Sequence, residues 1–280
     1  MPEYFINSIN SIPIIIRQLK PDIFEAYYET ETTTDSGLSE LLIAYFQLDL
    51  SPENLFPEEF SRRYPEVCQK LENYLPLRVL RQDPFETLIT FMCAQGIGMQ
   101  IIRRQIEMIS RVYGKERSVF FNGREVTLFS FPAAISLADA DPEKLSRCTN
   151  NNRTRARNII TAARSLAQGK LDFEKLRDKS MPLEELRNEL CKLGGIGFKI
   201  ADCIALFGLG RMDAFPIDTH VKQYLGKWFG IGADIQSLTP AAYLKLDAEA
   251  RKILNPCFAG YAGHILFHCW RCEEKRLRTC

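Results

Sequence analysis

Apolar residues three and four apart mark helical faces, and two such stretches flank a glycine-rich break late in the chain. Leu183, Leu186 and Leu190 make one face; Ile200, Ala201, Ile204 and Phe207 make the other. Between them stands Leu193-Gly194-Gly195-Ile196-Gly197, and a tight turn there makes a helix–hairpin–helix. Gly195 and Gly197 permit left-handed backbone angles and let another group approach their N–H groups closely. Those N–H groups open the second helix, whose N-terminus favours an anion such as phosphate. Helical periodicity dominates from Leu38 onward, with breaks near 114–123, Gly169 and Gly208. Residues 117–128 (RSVFFNGREVTL) read instead as strand–turn–strand around Asn122-Gly123. Nearer the start, two β-rich runs at 14–19 and 23–29 flank Lys20-Pro21-Asp22 and predict a hairpin. Residues 30–36 (TETTTDS) read as a polar linker.

Two charged residues near the hairpin carry the candidate chemistry. Lys199 falls in the first turn of the second helix, facing the positive end of its dipole, which is the wrong end for a structural cation. A solvated surface lysine is the plain alternative. Asp218 follows the apolar run Ala214-Phe215-Pro216-Ile217 and precedes Thr219-His220-Val221-Lys222, a helical start. Asp is a good N-cap, so capping alone also accounts for it. The two become informative only as an ordered pair.

At that pair the chain resembles the helix–hairpin–helix DNA glycosylase superfamily, in its 8-oxoguanine DNA glycosylase and AP lyase branch. GGIGFKIADCI followed by AFPIDTHV carries the resemblance. Asp83-Pro84-Phe85-Glu86 is similar to the family's DPFE helix, Arg155-Ala156-Arg157 to its RAR segment, and Gly260-Tyr261-Ala262 with Leu266-Phe267 to its C-terminal helix. The likeness spans roughly residues 78–271. It implies a mainly α fold of two helical lobes with a small N-terminal β-containing remnant: the remnant at 1–36, and a two-lobed glycosylase domain at 37–280 with its hairpin motif at about 183–207.

The resemblance also assigns roles. A base cannot be attacked inside a duplex, so the damaged nucleotide must be extruded into a pocket. Lys199 would attack the sugar C1′ and leave a Schiff base. An amine attacks only when unprotonated, and a positive field favours that form. Asp218 would stay ionised and stabilise positive charge growing on the sugar. Phe267 matches an aromatic that stacks on the flipped base, and Cys203 a cysteine on that base's other face; either could equally be core. Gly195 and Gly197 would meet the DNA backbone. His220 matches a phosphate-contacting histidine, with a surface cap as its competing reading.

Departures from the family bear on substrate. Where the family carries paired asparagines and an arginine that enter the duplex, this chain has Ala94-Gln95-Gly96-Ile97-Gly98-Met99-Gln100-Ile101. Gln95 could fill the gap, and Ile97 or Met99 could serve as an apolar wedge; Arg155 joins them as a candidate for opposite-base contact. A glutamine that reads the flipped base aligns with Gly263. The aromatic before the RAR segment is replaced by Asn150-Asn151-Asn152-Arg153-Thr154, and the GQ-F-R-W type N-terminal segment is missing, the chain beginning too late to contain it. Lesion reading must therefore be rebuilt elsewhere, or the lesion differs.

Composition sets bounds. With 280 residues, 46% hydrophobic and 25% charged, the chain is of ordinary globular make-up. A net charge of +1 does not itself suggest DNA binding, but Arg153, Arg155 and Arg157 cluster, as do Arg271, Lys275, Arg276 and Arg278. Solvated faces are the usual meaning; phosphate contact is the second. No stretch is long enough to span a membrane and no signal peptide is evident at 1–11. Nine scattered cysteines argue for reduced thiols in an intracellular setting. Cys257, Cys269, Cys272 and Cys280 have the wrong spacing for the iron–sulfur loop of the related endonuclease III family. His268 with Cys269, Cys272 and Cys280 could hold zinc, although CxxC pairs are often incidental, and no metal or cofactor is expected.

The expected activity is excision of an oxidised purine, 8-oxoguanine first, and strand nicking by a monomer acting on damaged double-stranded DNA. The compartment would be cytoplasm and nucleoid in a bacterium, the nucleus in a eukaryote. Same chemistry on another lesion with relaxed opposite-base preference is one alternative. A non-catalytic DNA-binding module is a second, and an oligomerising helical protein with a fortuitous hairpin a third.

Overall fold

The chain begins as sheet and becomes helical where proline and short polar side chains supply helix starts. The structure, a computed structural model, describes residues 4–20, 23–29, 33–50 and 55–274. Strands β1 (Tyr4–Ile9), β2 (Ile12–Lys20) and β3 (Ile23–Tyr28) form an antiparallel sheet in that order. The β2–β3 pairing, with Ile14 opposite Tyr28, is the expected hairpin. Its Pro21-Asp22 turn lies outside the described residues, as do 30–32 of the expected linker, Lys275, Arg276, Arg278 and Cys280. β1 is an addition: it pairs with β2 across Asn10-Ser11, both at positive φ (48° and 66°). A turn of that hand matches strand twist, but Asn-Ser lacks the glycine that would have marked it in the sequence.

Helices α1 (Asp35–Phe46), α2 (Glu58–Arg63), α3 (Pro65–Leu71), α4 (Pro84–Cys93) and α5 (Met99–Tyr113) follow. The hairpin β4 (Glu116–Phe121) and β5 (Arg124–Phe129) comes next, turning at Asn122-Gly123 as the sequence predicts. Then come α6 (Ala134–Ala138), α7 (Pro142–Cys148), α8 (Arg153–Ala167), α9 (Phe173–Arg177), α10 (Leu183–Cys191), α11 (Phe198–Phe207), α12 (Thr219–Phe229), α13 (Pro240–Ala250) and α14 (Ala259–Glu273). Proline stands in the first turn of α3, α4, α7 and α13, where its missing N–H costs nothing. Asp83, Asp141, Asn152 and Thr239 each cap a following helix through the side chain.

Two units divide the chain. The first comprises Met1–Leu42, Gln82–Asp172 and Leu193–Gly195. There the β4–β5 hairpin lies against β2 and β3, Tyr27 meeting Phe121 edge-to-face with centroids 4.7 Å apart. Helices α4, α5, α7 and α8 enclose Leu88, Ile89, Ile109, Leu145 and Ile159, all fully buried. The second unit comprises Ile43–Arg81, Phe173–Lys192 and Ile196–Cys280. Leu186, Leu190, Ile204, Tyr224, Leu246 and Ile265 form its fully buried centre. Among the described residues no helix is long and apolar enough to cross a membrane.

Glu86, in the first turn of α4, is half-buried beside Asp83. Burial, with Asp83 adding to it, pushes its carboxyl from the ordinary 4.5 up to about 7. The folded state therefore resists ionisation of Glu86: its stabilising contribution is complete below about pH 4.5 and is lost as pH rises through about 7. Glu86→Gln, which removes the charge and keeps a favoured residue type at this capping position, is expected to stabilise the protein at pH 8 by up to about 3 kcal/mol and very little at pH 4.5. Chemical denaturation of both proteins across that pH range measures the difference.

Candidate active site

The glycine-rich turn does two different things at its two ends. Gly195 has φ +84°, and a Cβ there would lie 3.1 Å from Asn158 Nδ2, so both backbone angle and space favour glycine. Gly197 departs from expectation: its φ of −109° is extended backbone, not left-handed. It is the N-cap of α11, and cap residues adopt such angles because the helix has not yet begun. Nothing lies within 4 Å of where its Cβ would be, so the approach to this helix start is open. Within the first unit the turn is held by Gln95, whose Nε2 donates to Gly195 O. The Gln95 carbonyl in turn accepts from Arg155 Nη2 at 3.1 Å.

Lys199 is the second residue of α11 and is half-buried. Asp218 is the N-cap of α12: its Oδ1 accepts from His220 N at 2.8 Å and Val221 N at 2.9 Å. Both cap bonds fall on one oxygen, so the cap leaves Oδ2 unused. Gly230, left-handed at φ 68°, closes the far end of this helix. Lys199 and Asp218 line one cavity of about 450 Å³ together with Gly197, Ile217, Thr219 and Tyr243. The pair brought together by sequence order is thus together in space, at two helix N-termini.

Behind the cavity lies an ionic cluster within the second unit. Arg187 of α10 donates from Nε and Nη2 to the two oxygens of Asp202, each at 2.8 Å, and from Nη1 and Nη2 to Asp247 Oδ2, each at 3.0 Å. Fork-to-fork pairing of this kind is directional and strong. Asp202 stands on α11 and Asp247 on α13, so one guanidinium ties three helices. Asp247 Oδ1 accepts from Arg251 at 3.0 Å. Burial pushes Asp202 up to about 6, against the pull of Arg187. Sequence reasoning missed this cluster. Its signal was Asp202 among Ala201, Cys203 and Ile204: a carboxylate on the apolar face of a helix needs a cation.

The remaining candidates are placed as follows. Cys203 is 3% exposed, and burial pushes its thiol up to about 12 although Lys199 opposes the shift, so it offers a neutral apolar surface. Phe267 is half-buried, stacked on His264 with centroids 5.9 Å apart. Burial lowers His264 to about 4 and keeps it neutral. Gly263 is buried against Phe215, whose ring would stand 2.1 Å from a Cβ at that position, so no larger residue fits there. His220 Nε2 lies 2.5 Å from Arg271 Nη1. In the first unit Met99 is 64% exposed and Ile97 half-buried, at the start of α5 and just before it. Arg153 pairs with Glu143 at 3.0 Å, and Arg157 is exposed. Cys272 Sγ lies 3.6 Å from His268 Nε2, while Cys269 is buried and directs its thiol to Lys70 O. Among the described residues no three His, Cys, Asp or Glu side chains gather to hold a metal.

A mainly helical fold with a hairpin-borne lysine and a helix-capping aspartate on one cavity defines a protein of the helix–hairpin–helix glycosylase class. The description "HhH-GPD superfamily base excision DNA repair protein" matches residues 92–249, and "8-oxoguanine DNA glycosylase, N-terminal domain" matches 2–88. The chain belongs to the HhH-GPD superfamily of base excision DNA repair proteins. It is 27% identical to N-glycosylase/DNA lyase OGG1 of Arabidopsis thaliana, over 91% of this chain and 68% of that one. To the N-glycosylase/DNA lyase of Saccharomyces cerevisiae it is 26% identical, over 92% and 73%. The 8-oxoguanine glycosylase/lyase of Clostridium acetobutylicum, solved with double-stranded DNA containing cytosine opposite 8-oxoguanine, has the same fold, with a TM-score of 0.74 at 23% identity over 99% of this chain and 89% of that one.

The double place of Asp218, as helix cap and cavity wall, can be separated by substitution. Asparagine caps as well as aspartate, so Asp218→Asn is expected to hold stability within about 0.5 kcal/mol, whereas Asp218→Ala loses about 1 kcal/mol. Urea denaturation of the two variants measures it.

Proposed function

We propose that the chain is a bifunctional DNA glycosylase and lyase of base excision repair that removes 8-oxoguanine from double-stranded DNA. The observation that carries this is Lys199 and Asp218 on the wall of one cavity, in a chain whose family repairs DNA bases. The names of its relatives, N-glycosylase/DNA lyase, describe the same pair of activities. Such an enzyme works where DNA lies, in the nucleoid of a bacterium or the nucleus of a eukaryote.

The chemistry follows from the two helix starts. The flipped nucleotide presents its C1′ to Lys199 Nζ. As the C1′–N9 bond breaks, its electron pair leaves with the base and positive charge grows on the sugar. Asp218, with Oδ2 outside the cap, stabilises that charge. The amine bonds to C1′ and gives one proton to the departing base; the C1′–O4′ bond then breaks, O4′ takes a proton, and the opened sugar is left as a protonated Schiff base. Removal of a C2′ proton then expels the 3′ phosphate, which nicks the strand, and water releases Lys199. Phe267 and Cys203 supply apolar faces for the extruded base, and Gly195, Gly197 and His220 meet the DNA backbone.

A second reading concerns the opposite base. Gln95 gives an amide N–H to the hairpin, and the most exposed apolar side chain in the run that follows it is Met99. An apolar wedge fills the gap left by the flipped base without hydrogen-bonding to a particular partner. Excision opposite cytosine, adenine, guanine and thymine is therefore expected to differ by no more than about tenfold; a cytosine preference of 10³ contradicts it.

Borohydride reduction of the reaction with an 8-oxoguanine:cytosine duplex tests the main reading. The wild type is expected to give a covalent protein–DNA adduct and Lys199→Gln none. Asp218→Asn is expected to slow base release by about 10²–10³, the usual cost of removing one transition-state electrostatic partner. An adduct that survives Lys199→Gln, or no adduct with any damaged or abasic duplex, refutes the assignment.

A further inference from the structure

One hydroxyl joins the two segments that carry Lys199 and Asp218. Tyr243, on α13, is only 4% exposed. Its Oη lies 2.5 Å from Asp202 Oδ2, 3.1 Å from Phe215 O and 3.2 Å from Ile217 N. Asp202 stands on α11 three residues beyond Lys199, and Ile217 immediately precedes Asp218. A phenol has one proton to give and lone pairs to accept with. The nearest acceptor is the carboxylate of Asp202, so the proton goes there, and the Ile217 N–H donates to the phenol oxygen. Burial and the Asp202 charge raise the Tyr243 phenol well above its ordinary range, which keeps it a donor. The same side chain also lines the cavity shared by Lys199 and Asp218.

We propose that Tyr243 is a positioning residue for base excision, its hydroxyl setting Lys199 against Asp218 by clasping Asp202 on one side and the Ile217 amide on the other. The inference rests on the reading of Lys199 as nucleophile and Asp218 as charge stabiliser. Asp202 is an immobile anchor, because Arg187 holds both its oxygens and Asp247 holds Arg187. In the run 214–218 the Tyr243 hydroxyl is the side-chain group that takes up the Ile217 N–H, and Ile217 is itself 1% exposed. Removing the hydroxyl leaves a buried N–H without its acceptor and lets that run shift relative to α11. A displacement near 1 Å between reacting groups is enough to cost up to about 10² in rate.

The two half-reactions depend on this distance differently. Base release needs Lys199 and Asp218 together. Imine formation at a ready-made abasic site meets an aldehyde that needs the amine but no charged partner for a departing base. A protein that has merely lost folded fraction loses both in equal proportion. The test compares full-length wild type, Tyr243→Phe and Tyr261→Phe. Tyr261 is a matched control: a buried tyrosine of the same unit whose hydroxyl donates to Leu77 O at 2.9 Å and which does not line the cavity. Single-turnover base release from an 8-oxoguanine:cytosine duplex, borohydride trapping on an abasic duplex, and duplex affinity are measured for each.

Tyr243→Phe is expected to release base about 10–100-fold more slowly, with trapping and affinity within about threefold of wild type, and Tyr261→Phe to change none of the three beyond that margin. Should the Phe variant not fold, 4-aminophenylalanine at position 243 carries the test. Its amine donates to Asp202 but accepts weakly from Ile217, and base release is again expected to fall with trapping retained. Base release and trapping reduced in equal proportion, or base release unchanged, overturns the clasp while leaving the catalytic pair in place. A wild type that traps no DNA overturns the catalytic reading and the clasp with it.

Discussion

One buried guanidinium orders the second unit. Arg187 grips Asp202 and Asp247, and through them binds α10, α11 and α13 to each other. Ion pairs like this are poor sources of net stability, since taking the charges out of water costs about what their attraction returns. Their value is directional. Replacing the cluster with packed apolar residues would keep the helices together, but nothing would fix how far each slides along its neighbour. Here that register decides where a lysine two residues into α11 stands against an aspartate at the start of α12. Asp202 lies at the junction: Arg187 holds it from one side and the Tyr243 hydroxyl from the other.

Around this frame the site combines two helix N-termini with opposite contents. An aspartate there is favourable twice over, as an N-cap and as an anion at the positive end of the dipole. A lysine there is opposed by the helix dipole, so its place in the first turn of α11 is the one that the proposed chemistry accounts for. The near-neutral chain reinforces the point. With a net charge of only +1, the chain has no general positive field to draw a phosphate backbone, and under the proposed function local features such as the helix start at Gly197 have to supply that attraction.

The Lys199–Asp218 pair was legible in the sequence because both members sit at punctuation: Lys199 after a glycine-rich turn, Asp218 between a proline-containing run and a helix. Helix ends were legible for the same reason, at Gly114, Gly169 and Gly208. Strand β1 was not, because its turn is built from Asn10 and Ser11 rather than a glycine. Nor did spacing reveal which glycine takes the left-handed angle, since a cap residue and a turn residue are both satisfied by glycine. The Arg187–Asp202–Asp247–Tyr243 cluster was the least visible. Its members are 15, 41 and 60 residues apart, beyond any local periodicity, and only the incongruity of Asp202 in an apolar helix pointed to it. Gly263 likewise aligned with a family glutamine, yet its meaning lay in Phe215, a partner 48 positions earlier.

The central claim is that one amine, Lys199, becomes bonded to the sugar of damaged DNA. Reducing the reaction of the wild-type protein with borohydride, digesting the adduct with nuclease and trypsin, and locating the sugar remnant by mass spectrometry tests it directly. The remnant is expected on the peptide containing Lys199 and on no other. A remnant on a different lysine or on the N-terminal amine contradicts the account, whatever the enzyme's activity.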